Sequence, residues 1–257
     1  MNGERWLEGK TAVVTDASCR VGQAIARLFA RHGASVALGV LDLNQGKELA
    51  GELGAYAPGS FAYGCDLSDA GSVEAFCAEV NRQWPLVNVL VNNPWTEESG
   101  SLETTTDADD DRILQIYQHS LVQTMRAFWP RMIKSDFCSV IQISSALVRN
   151  PVPGSLIQAY AYGAHGGMTR VPATEGGRHE VRVNEIYAPY GVNTGSRSYA
   201  PLKVRGSKVC GLDENVRPDV DGVAEAALFL ASDMASYISG VSLSVTGGAR
   251  WLKGIKN

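Results

Sequence analysis

Short runs of apolar and β-branched residues alternate with segments of helical periodicity along most of the chain. The first run, residues 11–14 (TAVV), is typical of a buried strand. Apolar residues at positions 21, 25, 28 and 29 then mark one face of a helix that Gly33 ends. The predicted strands are residues 11–14, 36–41, 60–63, 87–91, 138–144, 181–186 and 241–245, and the predicted helices are residues 21–32, 44–53, 73–80, 107–132, 158–176 and 223–232.

This alternation predicts an α/β fold, because strands separated by helices form parallel sheets. We expect a single doubly wound Rossmann-type domain over residues 1–257, with a mostly parallel sheet of about seven strands and helices on both faces. A chain of 257 residues is long enough for one such domain, and no linker or internal repeat divides it. In open sheets of this kind ligands bind at the carboxyl ends of the strands, so candidate functional residues should follow predicted strands.

Composition excludes several classes of function. A net charge of −4 gives no electrostatic basis for binding nucleic acid. No apolar run approaches the roughly 20 residues that span a bilayer, and the N-terminus lacks the apolar region of a signal peptide. The five cysteines are scattered without paired spacing, which indicates neither disulfides nor a zinc site and favours a cytoplasmic location. The four histidines do not cluster either, so no metal centre is expected.

Six motifs, in order along almost the whole chain, resemble those of the short-chain dehydrogenase/reductase superfamily. The resemblance implies a Rossmann-type fold, a nicotinamide dinucleotide cofactor, and hydride transfer by a set of Asn, Ser, Tyr and Lys. In that set the Tyr moves the proton on the substrate oxygen, and the Lys lowers the pKa of the Tyr. The motifs are T-D-A-S-C-R-V-G at residues 15–22, C-D-L at 65–67, V-N-N at 91–93, I-S-S at 143–145, R-V-N at 182–184 followed by Pro189, and S-Y-I-S-G at 236–240 followed by G-G at 247–248.

The cofactor turn departs from the family's T-G-x-x-x-G-x-G pattern. Asp16 stands at the first glycine and brings a Cβ and a negative charge toward the pyrophosphate. Arg20 replaces the second glycine, and Gly22 is the one that remains. Arg20 has a functional interpretation, because the pteridine-reductase branch resembles T-G-x-x-x-R-x-G with an arginine beside the phosphates; a structural salt bridge between Asp16 and Arg20 is the alternative. The candidate cofactor-binding residues that the resemblance implies are Thr15, Ser18, Arg20, Gly22, Asp66, Asn92, Val192 and Thr194.

Positions around the rest of the implied cofactor channel also differ from the family. Val40 stands at the position where family members that use NAD carry an acid that binds the ribose 2′-hydroxyl. Leu41 stands where members that use NADP often carry a basic residue that binds the 2′-phosphate. Each missing charged hydrogen bond would remove roughly 1.5–3 kcal/mol of binding, unless the ribose is bound from elsewhere. Trp95 and Tyr190 replace small residues beside the channel. All of these changes make a dinucleotide harder to hold.

The catalytic set is incomplete in the same way. Ser145 matches the family's serine, and a gapless alignment puts Tyr117 at the asparagine position. Thirteen residues after Ser145 the tyrosine position falls on Gln158, and the lysine position falls on Tyr162. A rival register places Ala161 and His165 there but needs an insertion and a deletion. Under either register no Tyr-x-x-x-Lys exists, and Gln158 cannot supply a proton at neutral pH. The candidate catalytic or pocket residues are Ser145, Gln158, Tyr162 and Tyr117.

The leading hypothesis is a protein with the short-chain dehydrogenase fold that has lost the Tyr/Lys hydride-transfer machinery. It is either a non-catalytic relative or an enzyme of isomerase, cyclase or lyase type acting on a small hydrophobic or aromatic ligand, and it needs no cofactor. The first alternative is a divergent carbonyl reductase, which requires NADP(H). The second is a binding or regulatory subunit that pairs with an active relative.

The resemblance also implies self-association. In the family, the helices that correspond to residues 107–132 and 158–176 form the main dimer interface. We therefore expect a homodimer or homotetramer through these helices, with a small-molecule ligand and neither nucleic acid nor a membrane as partner.

Overall fold

Seven parallel strands form one sheet in the computed structural model, which describes residues 5–96, 98, 100–149, 151, 154–189, 191–193, 203–204, 207–208 and 219–247. The strand order is β3-β2-β1-β4-β5-β6-β9, and β7 and β8 form a separate antiparallel pair. The predicted fold is confirmed. The strands are β1 Thr11–Val14, β2 Ser35–Val40, β3 Phe61–Gly64, β4 Val89–Asn92, β5 Cys138–Ser145, β6 Val181–Ala188, β7 Lys203–Val204, β8 Ser207–Lys208 and β9 Ser242–Ser244.

Helices connect the strands, and most begin at a polar side chain that accepts from their first amides. Asp42, Asp69 and Asp219 cap α2, α3 and α8, while Thr106 and Asp109 form a capping box at the start of α4. The helices are α1 Arg20–Arg31, α2 Leu43–Gly54, α3 Ala70–Gln83, α4 Asp107–Leu114, α5 Ser120–Met132, α6 Leu156–Gly163, α7 His165–Gly176 and α8 Val220–Ala231. Within the described residues no helix is long and apolar enough to cross a membrane.

The inner strands of the sheet are buried on both faces, whereas the edge strands β3 and β9 are partly exposed. In β1, Ala12 and Val14 belong to the core cluster that includes α1, α2 and α8 residues. Val13, which points to the opposite face, belongs to a second cluster with Phe76 of α3 and Phe128 of α5. The strands are therefore fixed in register, and so are the loops at their carboxyl ends.

The prediction of one continuous helix over residues 107–132 is wrong, because the helix is interrupted near its middle. A π-helical turn, Gln115–His119, separates α4 from α5. Its widened hydrogen-bond ring leaves backbone groups available to side chains: Ser120 Oγ donates to the carbonyl of Ile116 at 2.6 Å, and the carbonyl of Tyr117 binds His165. His165 is 48 residues from Tyr117 in the sequence, so no local pattern contains this contact.

The helix predicted over residues 158–176 is likewise divided. It begins earlier, at Leu156, and is interrupted between Gly163 and His165. Pro172 lies inside α7 without ending it. Two predicted strands are shifted by one residue: the strand predicted at 60–63 is Phe61–Gly64, and the one predicted at 36–41 is Ser35–Val40.

The strand order reverses at β1, since β2 lies on one side of it and β4 on the other. The crevice outside the carboxyl ends of β1 and β4 is the topological switch point where doubly wound folds bind ligands. Thr15 and Ser18 lie in the loop that follows β1, and Asn92 and Ser145 are the last residues of β4 and β5.

Candidate functional site

An asparagine after β4 holds the turn between β1 and α1. Asn93 Nδ2 donates to the carbonyl of Asp16 at 3.2 Å and to the sulfur of Cys19 at 3.1 Å. Its backbone N–H donates to Thr15 Oγ1 at 2.9 Å. Asp16 has φ of 43°, in the left-handed region that favours glycine and admits Asp or Asn at some cost. The turn therefore keeps a glycine-like backbone while carrying a carboxylate.

The N-terminal amides of α1 already have acceptors within the protein. Cys19 Sγ accepts from the N–H of Gly22 at 3.5 Å. Asn193 Oδ1 accepts from the N–H of Val21 at 3.0 Å. These are donors that a helix N-terminus would otherwise present to a phosphate group.

Two of the predicted cofactor residues contact each other. Arg20 Nη1 donates to the carbonyl of Val192 at 3.1 Å, and the Val192 side chain is buried. The ion pairs found in the described part of the chain do not include Asp16 with Arg20, so the alternative salt bridge is not formed in this structure.

Gly22 and Ser18 fix the turn from its other side. A Cβ on Gly22 would lie 2.5 Å from the carbonyl oxygen of Asp16 and 2.8 Å from the Cα of Ala17. Close packing of α1 on the turn therefore explains Gly22 without any ligand. Ser18 Oγ accepts from the N–H of Leu41 at 3.2 Å and ties the turn to the end of β2.

A cavity of about 150 Å³ lies at the carboxyl ends of β1 to β4. Trp95 forms part of its wall, as expected for a bulky residue beside the channel. Asp66 Oδ1 accepts from the backbone N–H of Ser68 at 2.8 Å and from its hydroxyl at 2.7 Å. We call this cavity the Asp16 pocket; its polar and aromatic lining consists of Asp16, Asp66, Ser68, Trp95, Thr96 and Arg112.

The carboxyl group of Asp16 is the unusual group in this pocket. The residue is 7% exposed, and no hydrogen bond or ion pair to its carboxylate occurs among the described residues. Burial raises the pKa of Asp16 from 3.8 to about 7. Arg112, the basic residue of the lining, forms an ion pair with Glu98.

Ser145 lies at the end of β5, where the resemblance places it. It is buried, and its Oγ accepts from the N–H of Leu147 at 3.2 Å, which caps the short 3₁₀ turn Ala146–Val148. The neighbouring Ser144 Oγ is buried and has no hydrogen-bond partner within the described residues. A capping role explains the position of Ser145 equally as well as a catalytic role would.

The residues at the tyrosine and lysine positions both bind the loop after β4. Gln158 Nε2 donates to the carbonyl of Glu98 at 2.6 Å and lies 3.5 Å from that of Thr96. The Tyr162 hydroxyl donates to the carbonyl of Pro94 at 3.1 Å. Both side chains are buried, so they hold this loop against α6.

Tyr117 completes the contacts to that loop. Its hydroxyl accepts from the N–H of Thr96 at 3.0 Å, and its ring packs edge-on against Tyr162 with centroids 4.6 Å apart. Burial raises the pKa of both phenols well above 10. Neither phenol is therefore suited to proton transfer near neutral pH.

His165 is an interior residue. Its Nε2 lies 2.9 Å from the carbonyl of Tyr117, which must accept, so the proton is on Nε2. Nδ1 is buried without a partner within the described residues, and burial lowers the pKa of the imidazole to about 4. His165 thus packs helices, and its Nε2 is not available to Ser145 as a base.

Asn92, a predicted cofactor residue, links the sheet to α5. Its Oδ1 accepts from the Thr124 hydroxyl at 2.7 Å, and the residue is fully buried. Thr194, another predicted cofactor residue, and Tyr190 lie outside the described residues. The roles assigned to all of these side chains stay predictions.

Four residues that organise the site were not among the predicted site residues: Cys19, Asn93, Asn193 and Glu98. Cys19 occupies an N-cap position, which its place just before a helix could have indicated. The other three act across long sequence separations, and no local pattern predicts their contacts.

The seven-stranded parallel sheet and its strand-end crevice define a protein of the dinucleotide-fold class. Residues 17–250 match the family model described as Enoyl-(Acyl carrier protein) reductase. The oxidoreductase UcpA of Salmonella typhimurium is 32% identical over 254 residues, which cover 95% of each chain. The chain therefore belongs to the short-chain dehydrogenase/reductase family.

Other relatives have related names. The 2,5-dichloro-2,5-cyclohexadiene-1,4-diol dehydrogenase LinX of Sphingobium indicum is 29% identical over 249 residues, which cover 97% of this chain and 98% of that one. Among solved structures, a short-chain dehydrogenase/reductase mutant from Serratia marcescens has a TM-score of 0.83 at 25% identity, with 95% of this chain and 99% of that chain covered. The relatives are named as dehydrogenases and reductases, so the chain has an oxidoreductase-like fold.

The family implies a nicotinamide dinucleotide, and the described residues do not fit one. The amides of Val21 and Gly22 are already bonded, and the Asp16 carboxylate lines the crevice. Trp95 also lines this crevice, within the cavity of about 150 Å³ that the described residues form there.

Proposed function

We propose that this chain does not carry out hydride transfer by a Tyr/Lys mechanism. It acts as a non-catalytic relative or as an enzyme of isomerase, cyclase or lyase type on a small ligand. The observation that carries the proposal is the position of Gln158 and Tyr162, whose side chains both bind the loop after β4. A buried phenol that donates to a carbonyl, with a pKa raised well above 10, lacks the acidity that the reaction requires.

The cofactor site supports the same proposal. The N-terminal amides of α1 are bonded to Cys19 and Asn193, and the Asp16 carboxylate would oppose a pyrophosphate. These features lie on α1 and the turn before it, whereas Gln158 and Tyr162 lie on α6. Two altered sites in one chain favour loss of the reaction over divergence at a single position.

The test is calorimetric titration with NADPH and NADH, beside a dinucleotide-dependent member of the family as positive control. We expect no binding at millimolar cofactor. Binding in the micromolar range would overturn the proposal.

A divergent NADP(H)-dependent carbonyl reductase is the second candidate, and the names of the relatives favour it. Arg20 would then bind phosphate, at the expense of its bond to Val192. If this candidate is right, Arg20→Ala weakens NADPH binding about tenfold or more, since a charged hydrogen bond contributes roughly 1.5–3 kcal/mol. Arg27→Ala is the matched control, because Arg27 lies on the same helix but pairs with Glu52.

We also propose that the chain forms a homodimer or homotetramer through α5 and α7. Support comes from a groove of about 440 Å³ between these helices, whose apolar lining includes Met125, Trp129, Met168 and Val171. Val171 is 60% exposed. In light scattering coupled to size exclusion, Val171→Asp should dissociate the oligomer, whereas Leu102→Asp, at an exposed residue outside the groove, should not. A monomeric wild-type protein would contradict the proposed self-association. If that monomer formed a complex only with an active member of the family, the result would favour a regulatory subunit.

A cytoplasmic location is the last part of the proposal. The described cysteines, Cys19, Cys65, Cys77 and Cys138, are all free and buried. Unpaired cysteines are typical of a reducing compartment. Cell fractionation with an epitope-tagged chain tests this location.

A further inference from the structure

The Asp16 pocket contains a buried acid that has no partner among the residues that the structure describes. Buried carboxylates in proteins are normally paired or hydrogen-bonded, because removing such a charge from water costs several kcal/mol. Asp16 is 7% exposed, lines the cavity, and meets no donor among the described residues. Its backbone is held in place by Asn93 and by the left-handed φ of 43°. The turn thus fixes the acid at the cavity without supplying a counter-charge.

The other charged groups of the pocket leave it electronegative. Asp66 contributes a second carboxylate, and Ser68 donates two hydrogen bonds to it without neutralising its charge. Arg112 is the cation of the lining, and Glu98 pairs with it. A ligand that carries its own positive charge would supply what the described residues lack.

The remaining walls suit a compact apolar body. Trp95, Leu41 and Ile116 contribute indole and aliphatic surface beside the acids. An aromatic face attracts an organic cation, and the attraction is stronger where the cation is desolvated. The volume of about 150 Å³ suits a small molecule.

We propose that the Asp16 pocket binds a small organic cation, an amine whose ammonium group pairs with the Asp16 carboxylate while its apolar part contacts Trp95. This inference rests on the proposed function, because the same crevice would hold part of a dinucleotide if the reductase alternative were right. It names the ligand class of the repurposed site.

The test is calorimetry at pH 8 with two cationic probes, benzylamine and tetramethylammonium, and with benzyl alcohol as the neutral analogue of the first. At least one of the two cations should bind with a dissociation constant in the millimolar range or lower. Benzylamine should bind more tightly than benzyl alcohol by about tenfold or more, as expected for a charged hydrogen bond. Asp16→Asn should remove this preference. Asp111→Asn, which changes net charge equally at an exposed position outside the cavity, should leave it intact.

Three results would overturn the inference. The first is that neither cation binds at about 50 mM, a concentration on the order of the dissociation constant of the weakest useful site. The second is equal affinity for benzylamine and benzyl alcohol, and the third is unchanged cation binding by Asp16→Asn. Thermal melting of each variant shows whether it is folded. Titration with NADPH in the same series separates the two proposals. Tight NADPH binding would refute the proposed function, whereas absence of both NADPH and amine binding would refute this inference alone.

Discussion

Replacing Asp16 by Asn should stabilise the protein, and the gain should grow with pH. Burial raises the pKa of Asp16 from 3.8 to about 7, so between these values the folded state binds more protons than the unfolded state. Stability is therefore lost as pH rises through this window. Each pKa unit corresponds to about 1.36 kcal/mol, so the carboxylate destabilises the fold by on the order of 4 kcal/mol above pH 8. Asn keeps the shape of the side chain and tolerates the positive φ, but it cannot ionise.

The assay is urea unfolding at pH 5 and pH 8, at fixed protein concentration because the chain is expected to oligomerise. The stability difference between Asp16→Asn and wild type should increase by about 3 kcal/mol from pH 5 to pH 8, as two pKa units predict. Asp111→Asn, at an exposed acid, should show no such increase. A difference that is the same at both pH values would refute the reasoning, since it would mean that Asp16 is ionised without penalty.

Three further predictions follow from named contacts. In urea unfolding, Gly22→Ala should lower the free energy of unfolding by about 2 kcal/mol or more, on the order expected for a backbone clash. Gly51→Ala is the control, because a Cβ there meets nothing within 4 Å, and it should raise the free energy of unfolding by up to about 1 kcal/mol. Equal effects of the two substitutions would contradict the packing of Gly22. NMR should show the His165 imidazole neutral down to a pH of about 4, and its contribution to stability should fall as pH drops from the ordinary value of 6.5 toward 4; a measured pKa above 6 would contradict its burial. Tyr162→Phe should cost about 1 kcal/mol through loss of the bond to Pro94 and should leave any turnover unchanged, whereas abolished turnover would identify the hydroxyl as a proton relay.

The sequence predicts the fold well, because its strongest signals are periodic. The seven strands follow from β-branched runs, and their parallel pairing follows from the helices between them. Helix interruptions were missed at Gln115–His119 and between Gly163 and His165. His165, at the start of α7, bonds the carbonyl of Tyr117 in the π-helical turn across 48 residues of sequence, and a local pattern does not contain such a contact.

The position of the candidate site was predictable from the sequence, but the hydrogen bonds that its side chains form were not. The sequence located the strand ends correctly and identified Asp16 as a charge in a glycine position. It did not indicate that Asn193 would accept from the first turn of α1, or that Gln158 would bind the loop after β4. Side chains such as these make contacts across about 60 to more than 170 residues of sequence, so their partners are fixed by the fold and not by their neighbours in the chain.

The two explanations for weak dinucleotide binding, charge and occupied amides, can be separated by pH. Asp16 is the titrating group of the turn: the Cys19 thiol beside it has its pKa raised to about 12 by burial and stays neutral. If repulsion by Asp16 dominates, NADPH affinity measured by calorimetry should rise about tenfold or more from pH 8 to pH 5.5, as one to two pKa units of coupling allow. If the bonds from Val21 and Gly22 to their internal acceptors dominate, NADPH affinity should be lowered to the same extent at both pH values. Breaking both bonds costs about 1–3 kcal/mol, a loss of about 5- to 150-fold in affinity, whatever the protonation of Asp16. We expect the second result for the wild type, since protonation of the acid restores neither donor. Strong binding at pH 5.5 would instead make Asp16 the sole obstacle and would favour the reductase alternative.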